Sequence, residues 1–311
     1  MRALVVDLSA PDAVRLTEIA EPSAAGDDVL VEVRQAGLNY GDLNDARSGR
    51  VPPGAVLGSD VAGIVLRSGK AGPPAGTRVV GLATGAFAER VVVDPGSLAE
   101  VPAKVDLAQA AALPVAGVAA LRALRESGAV LGRRVLITGA SGGVGRFAVR
   151  LASIAGAHVI ASVGRPERGT GLAQLGADEI VIGLDGIEAP VDVVLDNVGG
   201  QQLVAAWQLL APGGRLQSIG WTSGEPAVFP PYSTIGPPKS LTSFLNHGPA
   251  AADLTDLVRL VESGALPVEI GWHGPLEQFS DAADALRGRR VNGKAVLTVT
   301  GDTPAFPSRA S

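Results

Sequence analysis

The run Val135-Leu136-Ile137-Thr138-Gly139-Ala140-Ser141-Gly142-Gly143-Val144-Gly145 constrains the fold more than any other part of the chain. Apolar strand formers lead into a glycine cluster, and an amphipathic stretch over 144–155 follows, closed by Gly156. The pattern predicts a strand, a tight turn and a helix. A turn of this composition leaves backbone N–H groups bare at the start of a helix, where they attract an anion.

Three motifs overlap here, and each predicts different chemistry. The dinucleotide fingerprint G-x-G-x-x-G fits with Ala140 in the first glycine position and Gly142 and Gly145 in the others. In that reading Gly142 admits the backbone to a pyrophosphate, and Gly145 lets helix and strand pack closely. The required context, a strand before and a helix after, is present. A second series, Thr138-Gly139-x-x-x-Gly143-x-Gly145, resembles the turn of short-chain dehydrogenases. That family needs Tyr-x-x-x-Lys, and the two tyrosines, Tyr40 and Tyr232, are followed four residues on by Asn44 and Gly236, so it is rejected. The third is G-x-S-x-G, with Ser141 as a hydrolase nucleophile and the order Ser141, Asp196, His247 matching a triad. A hydrolase elbow normally follows several strand–helix units and a His-Gly-Gly segment, whereas a β-rich module comes first here. The hydrolase and a glycine turn without ligand stand as alternatives to the dinucleotide site.

The cofactor follows from the end of the next strand, over 158–163. NAD binders place a carboxylate there, about 20 residues past the glycines, on the ribose 2′-hydroxyl. Here 165 − 145 = 20 lands on Arg165, within Ala161-Ser162-Val163-Gly164-Arg165-Pro166-Glu167-Arg168. A guanidinium and a hydroxyl suit a 2′-phosphate, which accepts a forked donor. The expected cofactor is NADPH, with Ser162, Gly164, Arg165 and Arg168 at its adenosine end. A solvated helix start is the alternative role for Arg165 and Arg168.

Elsewhere the first ~110 residues read as short strands between Gly/Pro turns, with strands expected over 29–34, 60–66, 78–80 and 87–93 and little helical signal. Residues 107–113 are helix-prone, with Pro114 and Gly117 expected to interrupt. From Arg134 onward strands (134–138, 158–163, 179–182, 191–196, 215–220) alternate with helices (144–155, 167–175, 201–210), the last closed by the turn Ala211-Pro212-Gly213-Gly214. That alternation predicts a parallel sheet covered on both faces. Helices over 253–263 and 280–287, a closing strand over 295–299 and a loose tail over 302–311 complete the reading.

Composition removes several function classes. The chain has 311 residues, which fits about two domains. It has no Cys, which excludes disulfides, thiolate–zinc sites and a cysteine nucleophile together. The net charge of −5 argues against a protein that works by neutralising nucleic-acid phosphates. No apolar run approaches the ~20 residues of a membrane span, and the first residues lack a signal-peptide pattern. A cytoplasmic protein is expected.

With a β-rich module, this turn and a return segment, nearly the whole chain resembles the medium-chain dehydrogenase/reductase superfamily, and within it the zinc-independent quinone oxidoreductases, including zeta-crystallin-like proteins. The markers are Gly37-Leu38-Asn39-Tyr40-Gly41-Asp42, Leu57-Gly58-Ser59-Asp60-Val61-Ala62-Gly63, Ala110-Ala111-Ala112-Leu113-Pro114-Val115-Ala116-Gly117, Leu175-Gly176-Ala177-Asp178, Asp196-Asn197-Val198-Gly199-Gly200 and Gly293-Lys294-Ala295-Val296-Leu297. The resemblance implies an α/β protein with a GroES-like β-rich catalytic domain plus a Rossmann doubly wound parallel-sheet domain. The expected division is 1–114 and 251–301 for the catalytic domain, 115–250 for the NADPH-binding domain and 302–311 for the tail.

The resemblance also implies a site in the cleft between the domains. Asn39 would donate to the substrate carbonyl, Asp42 would hold its loop, and Tyr40 is a packing aromatic or a stand-in donor. Ala140, Ser141, Gly142, Gly143 and Val144 would cradle the diphosphate, and Asn197, Val198, Gly199, Ile219 and Gly220 would border the nicotinamide. Metal ligands are not expected. Without a Lewis acid, a quinone or conjugated enone is the natural hydride acceptor, because its π system spreads the charge. Enoyl-thioester reduction and a redox sensor that holds NADPH with little turnover are the alternatives. Two departures bear on this: Val51 stands roughly where enoyl reductases carry an acidic tyrosine, and Ile182-Gly183-Leu184 lacks a tyrosine that relatives place against the adenosine. Trp221 and Phe229 follow the fifth strand of the nucleotide domain, where relatives line the substrate pocket. A homodimer is expected by resemblance, through an edge strand near 240–245.

Overall fold

The computed structural model describes residues 1–300, so the expected tail over 302–311 lies outside the described residues. In chain order the β-rich part contains β1 (Arg2–Val6), β2 (Val14–Glu18), β3 (Val29–Leu38), α1 (Tyr40–Ser48), β4 (Asp60–Arg67), β5 (Arg78–Leu82), β6 (Arg90–Val93) and β7 (Leu98–Glu100). Two helices, α2 (Leu107–Ala111) and α3 (Pro114–Glu126), lead into β8 (Arg134–Ile137), α4 (Gly143–Ile154), β9 (His158–Val163), β10 (Glu179–Ile182), β11 (Val191–Asp196), α5 (Gly200–Leu209), β12 (Leu210–Ser218) and β13 (Ser240–Ser243). The return comprises α6 (Ala251–Glu262), β14 (Ile270–Pro275), α7 (Phe279–Arg287) and β15 (Lys294–Thr298).

Six strands form a parallel sheet in the order β10-β9-β8-β11-β12-β13. Numbered within the sheet this is 3-2-1-4-5-6, the doubly wound order, and the reversal between β8 and β11 opens a crevice at their carboxyl ends. Both faces are buried. Val135, Ile137, Val159 and Leu195 pack with Phe147, Ala148 and Leu151 of α4, while Leu136, Ile160 and Val194 pack with Leu203, Ala206 and Trp207 of α5. Helix α4 is buried on most of its surface, from Gly145 to Val149 and again at Leu151 and Ala152, and burying a side chain such as Phe147 or Leu151 contributes about 1.5–3 kcal/mol.

The second sheet has the order β14-β15-β3-β4-β5-β7, with β6 also paired to β3. Its centre is sequence-distant: β15 lies antiparallel to β3 with Ala295 opposite Leu38. The two ends of the chain therefore build one unit, and the parallel sheet is inserted between them. The fold is α/β, a GroES-like β-rich unit joined to a Rossmann parallel sheet.

Several local expectations need correction. The break expected at Pro114 is present, since α2 ends at Ala111 and α3 begins at Pro114, but Gly117 does not interrupt and lies inside α3. Pro114 is its first residue, where a missing N–H costs nothing, and Gly117 allows Leu257 of α6 to approach, since a Cβ there would lie 3.1 Å from the Leu257 side chain. The helix expected over 167–175 is a single 3₁₀ turn, Pro166–Gly169, followed by turns; Gly171 has φ +79° and cannot continue it cheaply. The strand expected from Phe87 pairs from Arg90, and Phe87 is instead a fully buried core ring. The turn Ala211-Pro212-Gly213-Gly214 lies inside β12 as a kink in its pairing with β11. Helix α1 carries little apolar signal because only Asp42, Leu43 and Ala46 of it are buried.

Candidate active site

The crevice at the sheet reversal is built by a buried polar clasp. Thr138, at the end of β8, donates through Oγ1 to Asp196 Oδ1 (2.6 Å), and its hydroxyl oxygen accepts from the Asn197 N–H (3.0 Å). Asn197 Nδ2 donates to the Thr138 carbonyl (2.9 Å), and the Gly199 N–H donates to Asp196 Oδ2 (2.8 Å). Burial pushes the Asp196 carboxyl up, opposed by the Thr138, Gly199 and Val198 donors. The clasp holds the 138–145 turn against the 196–200 turn and leaves a gap between them.

Into that gap points the start of α4. Its first amides, Gly143, Val144 and Gly145, have no carbonyl one turn back. A Cβ at Gly145 would lie 2.4 Å from the Gly139 carbonyl oxygen, so only glycine lets the helix start this close to the turn. The return segment straps the turn from the other side: the Gly293 N–H donates to the Ser141 carbonyl at 3.0 Å. Arg168 Nε donates to Ser141 Oγ (2.9 Å), and Arg168 Nη1 to the carbonyls of Arg289 (2.7 Å) and Val291 (2.9 Å). Burial, then the charges of Arg165, Arg289 and Arg146, lower the Arg168 guanidinium. This end of the cleft is therefore cationic and favours a polyanion. Arg165 is exposed at its edge and forms no ion pair among the described residues.

On the wall that the β-rich unit gives the cleft, Asn39 precedes α1. Its N–H donates to Asp42 Oδ2 (2.8 Å), its Nδ2 donates to Asp60 Oδ2 (3.0 Å), and its Oδ1 accepts from Lys294 Nζ (2.5 Å). Lys294 Nζ also reaches Asp60 Oδ2 at 2.9 Å and the Leu38 carbonyl at 3.3 Å. The Lys294 and Asp60 side chains are 3% and 0% exposed, which makes this a buried ion pair beside the cleft. Burial first, then the negative charge of Asp60, raise the Asp42 carboxyl to about 7, against the Asn39 N–H and Lys294, which lower it. Arg289 sits over the Tyr40 ring at 5.6 Å and donates to the Thr222 carbonyl, bridging the two sides of the cleft.

The resulting cleft has a volume of about 520 Å³, within the usual range for small-molecule sites. Of the expected site residues, Asn39, Tyr40, Ser141, Gly142, Gly143, Val144, Gly164, Arg165, Arg168, Asn197, Val198, Ile219 and Gly220 line it. Asp42, Ala140, Ser162 and Gly199 stand behind the lining. Ser162 is spent structurally: its hydroxyl donates to the Gly183 carbonyl (2.6 Å) and accepts from Gln202 (3.0 Å). The hydrolase triad is not assembled, since Ser141 pairs with Arg168, Asp196 with Thr138, and His247 Nδ1 with the Leu245 carbonyl. Sequence reasoning missed Lys294, Asp60 and Arg289 as site residues. The Gly-Lys pair at 293–294 was in view only as a family marker, and nothing local in it signals a partner 255 residues away.

The diphosphate and nicotinamide that such a crevice implies fit the residues present: bare amides at a helix start, a cradle that a Cβ would fill, and clustered guanidinium groups. A zinc site does not fit. The chain has no Cys, and the described residues contain no cluster of three or more His, Asp or Glu able to hold a metal.

Fold and cleft together define a two-part protein in which a GroES-like unit and a Rossmann unit both line one cleft. Comparison with known proteins agrees. The alcohol dehydrogenase GroES-like domain family matches residues 25–103, and the zinc-binding dehydrogenase family matches 175–297. Prostaglandin reductase-3 of Mus musculus is 32% identical over 96% of this chain and 89% of its own length. A polyketide synthase protein of Streptomyces orinoci, NorB, is 36% identical over 91% of this chain, which spans only 14% of that protein. Among solved structures, a quinone oxidoreductase from Coxiella burnetii superposes with TM-score 0.85, at 26% identity, covering 96% of this chain and 99% of that one. A mycobacterial protein solved in complex with NADPH superposes with TM-score 0.86, at 26% identity, covering 96% and 100%. The chain belongs to the medium-chain dehydrogenase/reductase superfamily and is quinone-oxidoreductase-like within it. No helix among the described residues is long and apolar enough to cross a membrane.

Proposed function

We propose that this chain is an NADPH-dependent reductase that delivers hydride to a quinone or a conjugated enone. One observation carries the reading: a single cleft brings together bare helix-start amides, guanidinium groups and the Asn39 amide, with the Lys294 side chain packed between Gly143 and Asn39. Bound there, the reduced nicotinamide supplies the hydride. The Gly143, Val144 and Gly145 amides hold the diphosphate, and Arg165 pairs with the 2′-phosphate. Because the Ser162 hydroxyl is already committed to Gly183, phosphate selection rests on Arg165. Val198, Ile219 and Gly220 wall the nicotinamide end, and Asn39 hydrogen-bonds the acceptor oxygen as charge develops on it. The division of the chain at 114/115 and 250/251, a cytoplasmic location and a homodimer through the exposed β13 edge belong to the same proposal.

The test is an acceptor screen with NADPH and NADH in parallel, on wild type and Arg165→Ala. Quinone- or enone-dependent loss of nicotinamide absorbance is expected. Arg165→Ala should weaken NADPH binding by about tenfold or more, the scale of one lost charge-assisted contact, and leave NADH almost unchanged. Equal weakening of both removes the cofactor assignment. Tight NADPH binding with no turnover on any acceptor would favour the redox-sensor reading.

A second reading, enoyl-thioester reduction, draws on the polyketide synthase relative. Against it, Val51 packs on the catalytic-domain core and does not line the cleft, so no acid stands there. Crotonyl thioesters in the same screen separate the two.

A further inference from the structure

The Asn39 side chain has one orientation that its surroundings accept. Oδ1 faces the Lys294 ammonium at 2.5 Å, and Nδ2 faces the Asp60 carboxylate at 3.0 Å. Turning the amide over would set N–H against an ammonium and oxygen against a carboxylate, exchanging two charge-assisted bonds for two repulsions at a half-buried position. The ion pair that enforces this is itself held firmly. Lys294 Nζ uses its three hydrogens on Asn39 Oδ1, Asp60 Oδ2 and the Leu38 carbonyl. Asp60 Oδ1 accepts from the Val115 N–H at 2.8 Å, which ties the pair to the first turn of α3. Gly37 leaves room for the carboxylate, since a Cβ there would come within 2.6 Å of Asp60 Oδ2.

An amide nitrogen carries two hydrogens. One is taken by Asp60, the Asp42 carboxyl draws only weakly on the side chain, and Asn39 lines the cleft, which leaves the second hydrogen within reach of a ligand. The neighbouring ammonium draws electron density through Oδ1 and makes that N–H a better donor. We propose that Lys294 and Asp60 are positioning residues that lock the Asn39 amide as a donor toward the cleft, so that the site takes its acceptor through a carbonyl-type oxygen and discriminates against ligands that present only a donor there. This rests on the reductase reading for the identity of the ligand, but the orientation of Asn39 does not.

Two kinds of readout separate these. In nitrogen-labelled protein, the Asn39 side-chain amide is assigned by its disappearance in Asn39→Ala. The hydrogen bonded to Asp60 should exchange with water at least about tenfold more slowly than those of exposed asparagines, because opening of that bond limits its exchange. Lys294→Met should abolish that protection, while Lys294→Gln, which keeps an N–H donor for Oδ1, should retain it. Lys294→Met leaves Asp60 buried without a counter-charge, so Lys294→Met/Asp60→Asn provides a folded alternative. In kinetics, Lys294→Met and the double variant should lower kcat about 100-fold, the scale seen when one transition-state donor is lost. Acceptor KM should move less than threefold, the NADPH dissociation constant should hold, and Lys294→Gln should recover most of the rate. Unchanged Asn39 exchange in the Met and double variants, or a wild-type kcat in Lys294→Met, overturns the proposal. A wild type that reduces no quinone, enone or thioester would overturn the functional reading instead, and the exchange measurement would still decide the orientation.

Discussion

Asp42→Asn should flatten the pH dependence of stability between about pH 5 and pH 8. Asp42 sits behind the cleft, where burial and the adjacent Asp60 raise its carboxyl from 3.8 to about 7. The folded protein therefore holds this proton more tightly than the unfolded chain does. Its contribution to stability is full below the unfolded value and is lost as pH rises through about 7. At about 1.4 kcal/mol per pH unit the whole span is on the order of 4 kcal/mol, of which about 3 kcal/mol falls between pH 5 and pH 8. That is a large share of the 5–15 kcal/mol that typically separates folded from unfolded. Asparagine keeps the oxygen that accepts the Asn39 N–H at 2.8 Å, so the start of α1 survives while the titration is removed. Urea unfolding followed by tryptophan fluorescence at both pH values, on wild type and variant, measures the difference. The variant should gain about 3 kcal/mol on wild type between the two conditions. Parallel curves for the two proteins would refute the argument that Asp42 is buried beside an anion.

Gly145→Ala should abolish nucleotide binding, measured by NADPH fluorescence, or unfold the Rossmann unit outright, because a Cβ there meets the Gly139 carbonyl 2.4 Å away; wild-type affinity would mean that α4 does not start against the turn. Strand β13 ends the parallel sheet with all four residues exposed; Leu241 within it is 43% exposed, and Leu245, two residues beyond it, is 73% exposed. An open edge strand presents unpaired N–H and C=O groups on which a second strand can pair. Light scattering should give twice the chain mass for wild type and the monomer for Leu241→Lys, and a wild type that stays monomeric removes the dimer.

Much of the Rossmann unit was legible because its determinants are local. The strand, turn and helix around Gly139–Gly145 lie within the continuous segment 134–154, and their apolar periods and glycines act within that span. The strands at 158–163, 179–182 and 191–196 appear where the apolar runs stand. The short segment after Arg165 was misread because its composition favours a helix, whereas Gly169 and Gly171 and the burial of Leu172 make a turn. Helix α1 escaped notice since a helix that buries few residues leaves little periodic signal. The G-x-S-x-G match shows the opposite failure: a local pattern complete in sequence has no chemistry once Ser141 is bonded to Arg168.

By itself, the order of residues determined that a glycine turn would open a helix at the end of a strand, that a cation rather than a carboxylate would end the next strand, and that thiolate chemistry was absent. Only the tertiary structure decided what stands beside Asn39. The antiparallel register that sets Ala295 opposite Leu38 carries Lys294 to Asn39 across 255 residues, and β4 brings Asp60 to both. Nothing within a few residues of Asn39 encodes that pairing. Its orientation follows from a sheet that closes the two ends of the chain on each other and excludes water from the ion pair between them.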